Sequence, residues 1–142
     1  MHAPVVIDTN VVLDLFLFED PASAPLREAL EAGALSWLAT AAMREELLRV
    51  LDYPQLARHL CAEGAGPVLA AFDRHARLAE VAPRCAFVCR DVDDQKFIDL
   101  AAAHTAELIS KDAAVLSMAQ RLSRLGVRVA PCWAPASSGA AA

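Results

Sequence analysis

Apolar positions along the chain fall into short continuous runs separated by stretches with helical spacing. Val5-Val6-Ile7 is a β-branched run that predicts a buried strand, and the spacing of Val12, Leu13, Phe16 and Leu17 predicts a helix that starts directly after it, at Thr9 or Asn10. A second helix is expected from Ser23, with Pro25 in its first turn, Leu26, Ala29 and Leu30 on one face, and Gly33 as its stop. Leu35 to Leu38 predicts a second strand. Thr40 is a suitable cap for a helix running to about Leu51 through Met43, Leu47 and Val50, and Asp52-Tyr53-Pro54 ends it. Residues 54 to about 78 predict two helical pieces split around Gly64 and Gly66, an insertion expected to cover one side of the fold. Val81 and Phe87-Val88 are expected to be strand-like, and Asp91-Val92-Asp93-Asp94 to start a helix that turns Phe97, Ile98, Ala101 and Ala102 inward. Glu107 to Ser110 predicts a further strand, Asp112 opens a helix carrying Val115, Leu116, Ala119, Leu122 and Leu125 to a stop at Gly126, and Val127 to Val129 closes the sheet.

Strands alternating with helices imply an α/β fold with a mostly parallel central sheet and helices on both faces. In such sheets ligands gather beyond the carboxyl ends of the strands. Asp8 directly follows the first strand, Asp91 to Asp94 follow the weak strand near Phe87, and Asp112 follows the strand at Leu108-Ile109 after two residues. Glu45 and Glu46 lie one turn into the helix after the second strand, and either can reach the same edge from the side. A single aspartate after a strand is ordinarily a helix cap. Several at one edge repel and raise one another's pKa, so a cluster needs a counter-charge. A divalent cation is the natural one, and ligands that are all oxygen favour Mg²⁺ or Mn²⁺ over zinc and point to phosphate chemistry.

Composition adds to this picture. The chain of 142 residues, 56% hydrophobic, fits one domain, expected over residues 1–133, with the small residues of Ala134 to Ala142 as a disordered tail. The net charge of -5 argues against a nucleic-acid partner as a sum, but convergence of four of the 18 acids on divalent ions would cancel most of it. Charges or prolines interrupt every apolar stretch before membrane-spanning length, and no basic, apolar leader opens the chain, so no membrane association and a cytoplasmic location are expected. Cys61, Cys85, Cys89 and Cys132 contain no CxxC pair and read as reduced thiols, the four histidines have no ligand spacing, and no Ser-His-Asp arrangement is visible.

The segments VVIDTNVVLD, REELLRVL, DVDDQKFIDLA and ELISKDAAVL together resemble the PIN-domain ribonucleases, most nearly the bacterial group related to VapC-like toxins. The resemblance spans Val5 to about Leu116 and implies a PIN-like three-layer fold. It places the family's acidic quartet on Asp8, Glu46, Asp94 and Asp112, as catalytic residues and metal ligands, with Glu45, Asp91 and Asp93 near enough to compete for those roles. Thr9, Asn10 and Ser110 match its small polar residues, which would orient carboxylates or metal waters, and Lys111 would face the phosphate. The implied activity is endonucleolytic hydrolysis of RNA with one or two Mg²⁺ or Mn²⁺ ions, and the implied partners are a second copy of the chain, as a homodimer, and a protein antitoxin. Two other readings share the pattern: a receiver-like or phosphatase-like domain with an aspartate as phosphoryl acceptor and Lys111 as its lysine, and a PIN domain that binds RNA or protein without cutting.

Overall fold

A computed structural model describes residues 3–60 and 62–135. Five strands form one sheet, β1 (Ala3–Ile7), β2 (Leu35–Ala39), β3 (Ala76–Leu78), β4 (Glu107–Ile109) and β5 (Val129–Ala130), in the order β3-β2-β1-β4-β5. Every neighbouring pair is parallel, with Val5 beside Trp37 on one side of β1 and Val6 beside Leu108 on the other. Val5, Val6 and Ile7 are buried in succession, as a central strand covered on both faces requires.

The helices are α1 (Thr9–Phe16), α2 (Ala24–Glu31), α3 (Ala41–Leu51), α4 (Gly66–His75), α5 (Gln95–His104), α6 (Ala113–Leu116) and α7 (Ala119–Ser123), with 3₁₀ turns at Pro21–Ser23, Pro54–His59 and Val92–Asp94. The chain runs outward from β1 to β2 and β3, then returns to β4 on the other side. Right-handed crossovers therefore put α1 to α4 on one face and α5 to α7 on the other. The packing agrees: α1 contacts α2, α3 and α4, whereas α5 lies on β1 and β4. Trp37, Leu26, Leu47, Leu51 and Phe72 fill the first layer, and Phe97, Ile98, Leu100 and Leu122 the second. The strand order reverses at β1, so the ends of β1 and β4 frame the crevice where ligands of open α/β sheets bind.

Three expectations from the pattern are corrected. The helical reading up to about Leu78 gives way after His75 to the edge strand β3, whose three residues pair with Trp37, Leu38 and Ala39. Val81 and Phe87-Val88 form no strand; they lie in an irregular segment, with Val81 and Val88 turned outward. Side chains of α5 hold that segment in place of a ladder: Gln95 accepts from Cys89 N and donates to Phe87 O, and Asp99 accepts from Cys85 N. The helix opened by Asp112 breaks at Ser117-Met118 into α6 and α7, because the Ser117 hydroxyl donates to the Ala114 carbonyl at 2.7 Å and competes with the helical ladder. Of the expected tail, residues 136–142 lie outside the described residues, as does Cys61. No helix among the described residues is long and apolar enough to cross a membrane.

Candidate active site

Asp8 directly follows β1 and stands at the N-cap of α1, yet its side chain makes no capping bond. It turns instead to the neighbouring strand end, where the Ser110 hydroxyl donates to Asp8 Oδ2 at 2.5 Å. Ser110 is fully buried, and its oxygen accepts from Asp112 N at 3.0 Å, which fixes the direction of the hydroxyl hydrogen. Burial pushes the Asp8 pKa up; hydrogen bonds from Ser110 and the Thr9 N–H oppose this, while Glu46 and Asp112 add to the rise.

Asp112 caps α6 by accepting from Ala114 N, and Asp91 caps the 3₁₀ turn by accepting from Asp93 N. Asp94 follows at the head of α5. One oxygen from each of Asp91, Asp94 and Asp112 lies within 4.8 Å of the others. Asp94 is the most perturbed: burial first, then the charges of Asp8, Asp112 and Asp91, raise its pKa from 3.8 to about 7. Its Oδ2 is buried without a hydrogen-bond partner, and so is Asn10 Oδ1 in the first turn of α1. Among the described residues no lysine, arginine or histidine pairs with Asp8, Asp91, Asp94 or Asp112.

On α3, Glu45 is exposed and Glu46 turns inward. Both Glu46 oxygens are engaged: Oε2 accepts from the Thr9 hydroxyl and Oε1 from Lys96 Nζ, each at 2.5 Å. Lys111 is ion-paired with Asp14, a buried acid on the last turn of α1. Thus the structure gathers Asp91, Asp94 and Asp112, sets Asp8 beside them through Ser110, and joins Glu46 to them across Thr9 and Lys96. Glu45 is outside this group.

Lys96, Asp14 and Gln95 are contributors that sequence reasoning missed. A lysine in the first turn of a helix opposes the helix dipole, so Lys96 in DVDDQK is a signal of a nearby anion. Asp14, flanked by Leu13 and Leu15, is an acid in a core-facing run and carried the same kind of signal.

These residues fit a divalent cation. The donors are all carboxylate oxygens, one of them buried and orphaned, and their mutual repulsion has no protein cation to offset it among the three clustered acids. No curated protein matches the chain. The PIN-domain family profile matches residues 4–114, a stretch that contains β1 to β4 and every acid of the cluster. With well over half of its length covered by that match, the chain belongs to the PIN-domain family.

Proposed function

We propose that the protein is a divalent-metal-dependent endoribonuclease, and that it serves as the VapC-like toxin of a toxin-antitoxin pair in the cytoplasm. The observation that carries the reading is the approach of one oxygen each of Asp91, Asp94 and Asp112 to within 4.8 Å, without a counter-charge among the described residues, at the sheet edge where ligands of this fold class bind. Asp91, Asp94 and Asp112 would hold Mg²⁺ or Mn²⁺, with Asp8 alongside. The bound ion would supply positive charge for a phosphate and lower the pKa of a water that attacks phosphorus.

The chain's own groups do the positioning. Ser110 fixes Asp8 through a hydrogen whose direction is set by Asp112 N, and Thr9 fixes Glu46. Burial of Asp8 and Asp94 keeps bulk water from screening their charges. Lys111 is held by Asp14 at the rim, where its remaining ammonium hydrogens are open to a phosphate oxygen. That same pairing weakens the phosphoryl-acceptor reading, which needs this lysine directed at an aspartyl phosphate. Exposed Leu48 and Tyr53, beside a cavity of about 430 Å³ between α3 and the segment around Leu60, support the homodimer as part of the proposal.

The test is incubation of structured RNA with the protein and Mn²⁺. Cleavage by the wild type, with Asp94→Asn folded and inactive, is the expected result; equal cleavage by the variant sinks the proposal. Relief of growth arrest by the product of a neighbouring small open reading frame tests the toxin role separately.

A further inference from the structure

Glu46 differs from the clustered aspartates in having no oxygen to spare: Oε2 takes the Thr9 hydroxyl and Oε1 takes Lys96 Nζ, both at 2.5 Å. Lys96 stands two residues after Asp94, in the first turn of α5, where the helix dipole disfavours a cation. It is nevertheless fixed on three sides. Its ammonium donates to Glu46 Oε1, donates to the Asp93 carbonyl at 2.5 Å, and lies 4.9 Å from the centre of the Phe97 ring. The side chains of the pair are only 27% and 19% exposed, so solvent does little to screen it.

From this asymmetry we infer that Lys96 is the resident positive charge on the Glu46 side of the site, so that the chain binds one divalent ion, at Asp91, Asp94 and Asp112, and not two. The inference rests on the metal reading given above. A second ion at Glu46 would have to displace an ammonium already in contact with the carboxylate, or sit beside it and be repelled. The aspartate trio has no such occupant among the described residues. Lys96 is thus a positioning residue for Glu46. Two of its three ammonium hydrogens are committed, and the third is available to an oxygen of the phosphate.

The experiment is calorimetric titration of the full chain with Mn²⁺, read for stoichiometry, with electron paramagnetic resonance reporting spin coupling between neighbouring ions. The wild type and Lys96→Arg are expected to bind one uncoupled ion. Lys96→Met frees Glu46 and is expected to bind two, and Lys96→Met combined with Glu46→Gln returns the count to one. Lys96→Gln, which keeps a donor without the charge, gives the same reading if Lys96→Met does not fold. Two ions in the wild type overturn the inference and leave the metal reading intact. One ion in both the wild type and folded Lys96→Met overturns the role of the lysine. No ion in the wild type overturns the metal reading beneath it.

Discussion

Ser110 and Asp8, 102 positions apart in the chain, meet at 2.5 Å with the serine hydroxyl donating to the carboxylate. The contact exists because β1 and β4 are parallel neighbours and both side chains leave the sheet at the same end. Ser110 is the sole side-chain donor to Asp8 among the described residues, and the Asp112 amide behind it leaves the hydroxyl one useful direction.

Ser110→Ala should therefore leave the fold in place and misdirect Asp8. Loss of an orienting partner behind a metal-ligating carboxylate typically costs about 10- to 100-fold in metal affinity or activity. Calorimetric titration with Mn²⁺ alongside RNA cleavage checks this, and Ser110→Thr, which restores a hydroxyl, should recover part of both.

Asp94 links the site to stability. Its pKa is 3.8 in the ordinary case and about 7 in the folded, metal-free chain, so the folded state holds the proton more tightly than the unfolded one. The folded state is favoured most at low pH by this group. That advantage is lost as pH rises from 3.8 through about 7, and the curve is flat above. Asp94→Asn removes the buried charge, and its Tm without metal should exceed that of the wild type by about 3–6 °C at pH 8, with little difference near pH 4. Thermal unfolding at the two pH values, in chelator, gives the comparison.

Much of the site was legible because strand ends can be read from β-branched and apolar runs. Val5-Val6-Ile7 places Asp8, and Leu108-Ile109 places Ser110 and Asp112, wherever the helices go. Glu46 was separable from Glu45 only by family spacing, since the two are adjacent on α3; the fold resolves them by turning one to Thr9 and the other to solvent. Asp91 and Asp94 are a different case. Both reach the cluster because a 3₁₀ turn at Val92–Asp94, not a regular helix, separates them, and four consecutive residues with three acids carry no periodicity from which to read that turn. The segment from Ala79 to Arg90 was misread for a related reason: its apolar residues include Val81 and Val88, which face outward, and what shapes it is a set of side-chain hydrogen bonds from α5. The short edge strand β3 has one large apolar residue, Leu78, and that one is exposed.

Arg44 gives a control. Its guanidinium donates to both oxygens of Asp73 at 2.7 and 2.8 Å, tying α3 to α4, so it is committed within the fold and away from the acidic cluster. The hydrogen bond from Arg44 also holds the Asp73 pKa below the usual range. The pair is exposed to solvent and screened, so Arg44→Ala should cost no more than about 0.5–1 kcal/mol. RNA affinity should stay unchanged, which fluorescence anisotropy with a labelled oligonucleotide would register.

Gln95 offers the sharpest test of how the acidic edge is held. Its side chain is buried and fully committed: Oε1 accepts from Cys89 N at 2.6 Å, and Nε2 donates to Phe87 O at 3.1 Å and to Asp99 Oδ1 at 2.8 Å. Asp99 in turn accepts from Cys85 N at 2.8 Å, so one amide and one carboxylate bind three backbone groups of the segment leading to Asp91. Gln95→Leu keeps the volume and removes every one of the glutamine's bonds, leaving the Cys89 N–H and Phe87 carbonyl unpaired. Buried polar groups left in that state cost about 1–3 kcal/mol each, less where water can enter, so a fall in stability of about 2–4 kcal/mol is expected. Because Asp91 lies two residues beyond Cys89 and Asp94 immediately precedes Gln95, the loosened segment should also weaken Mn²⁺ binding without touching any ligand. Hydrogen exchange supplies the readout that separates this from general destabilisation: the Cys89 amide should lose protection in Gln95→Leu while the amides of β1 keep theirs. Equal loss in both places would mean that the glutamine supports the whole fold and not the acidic edge in particular.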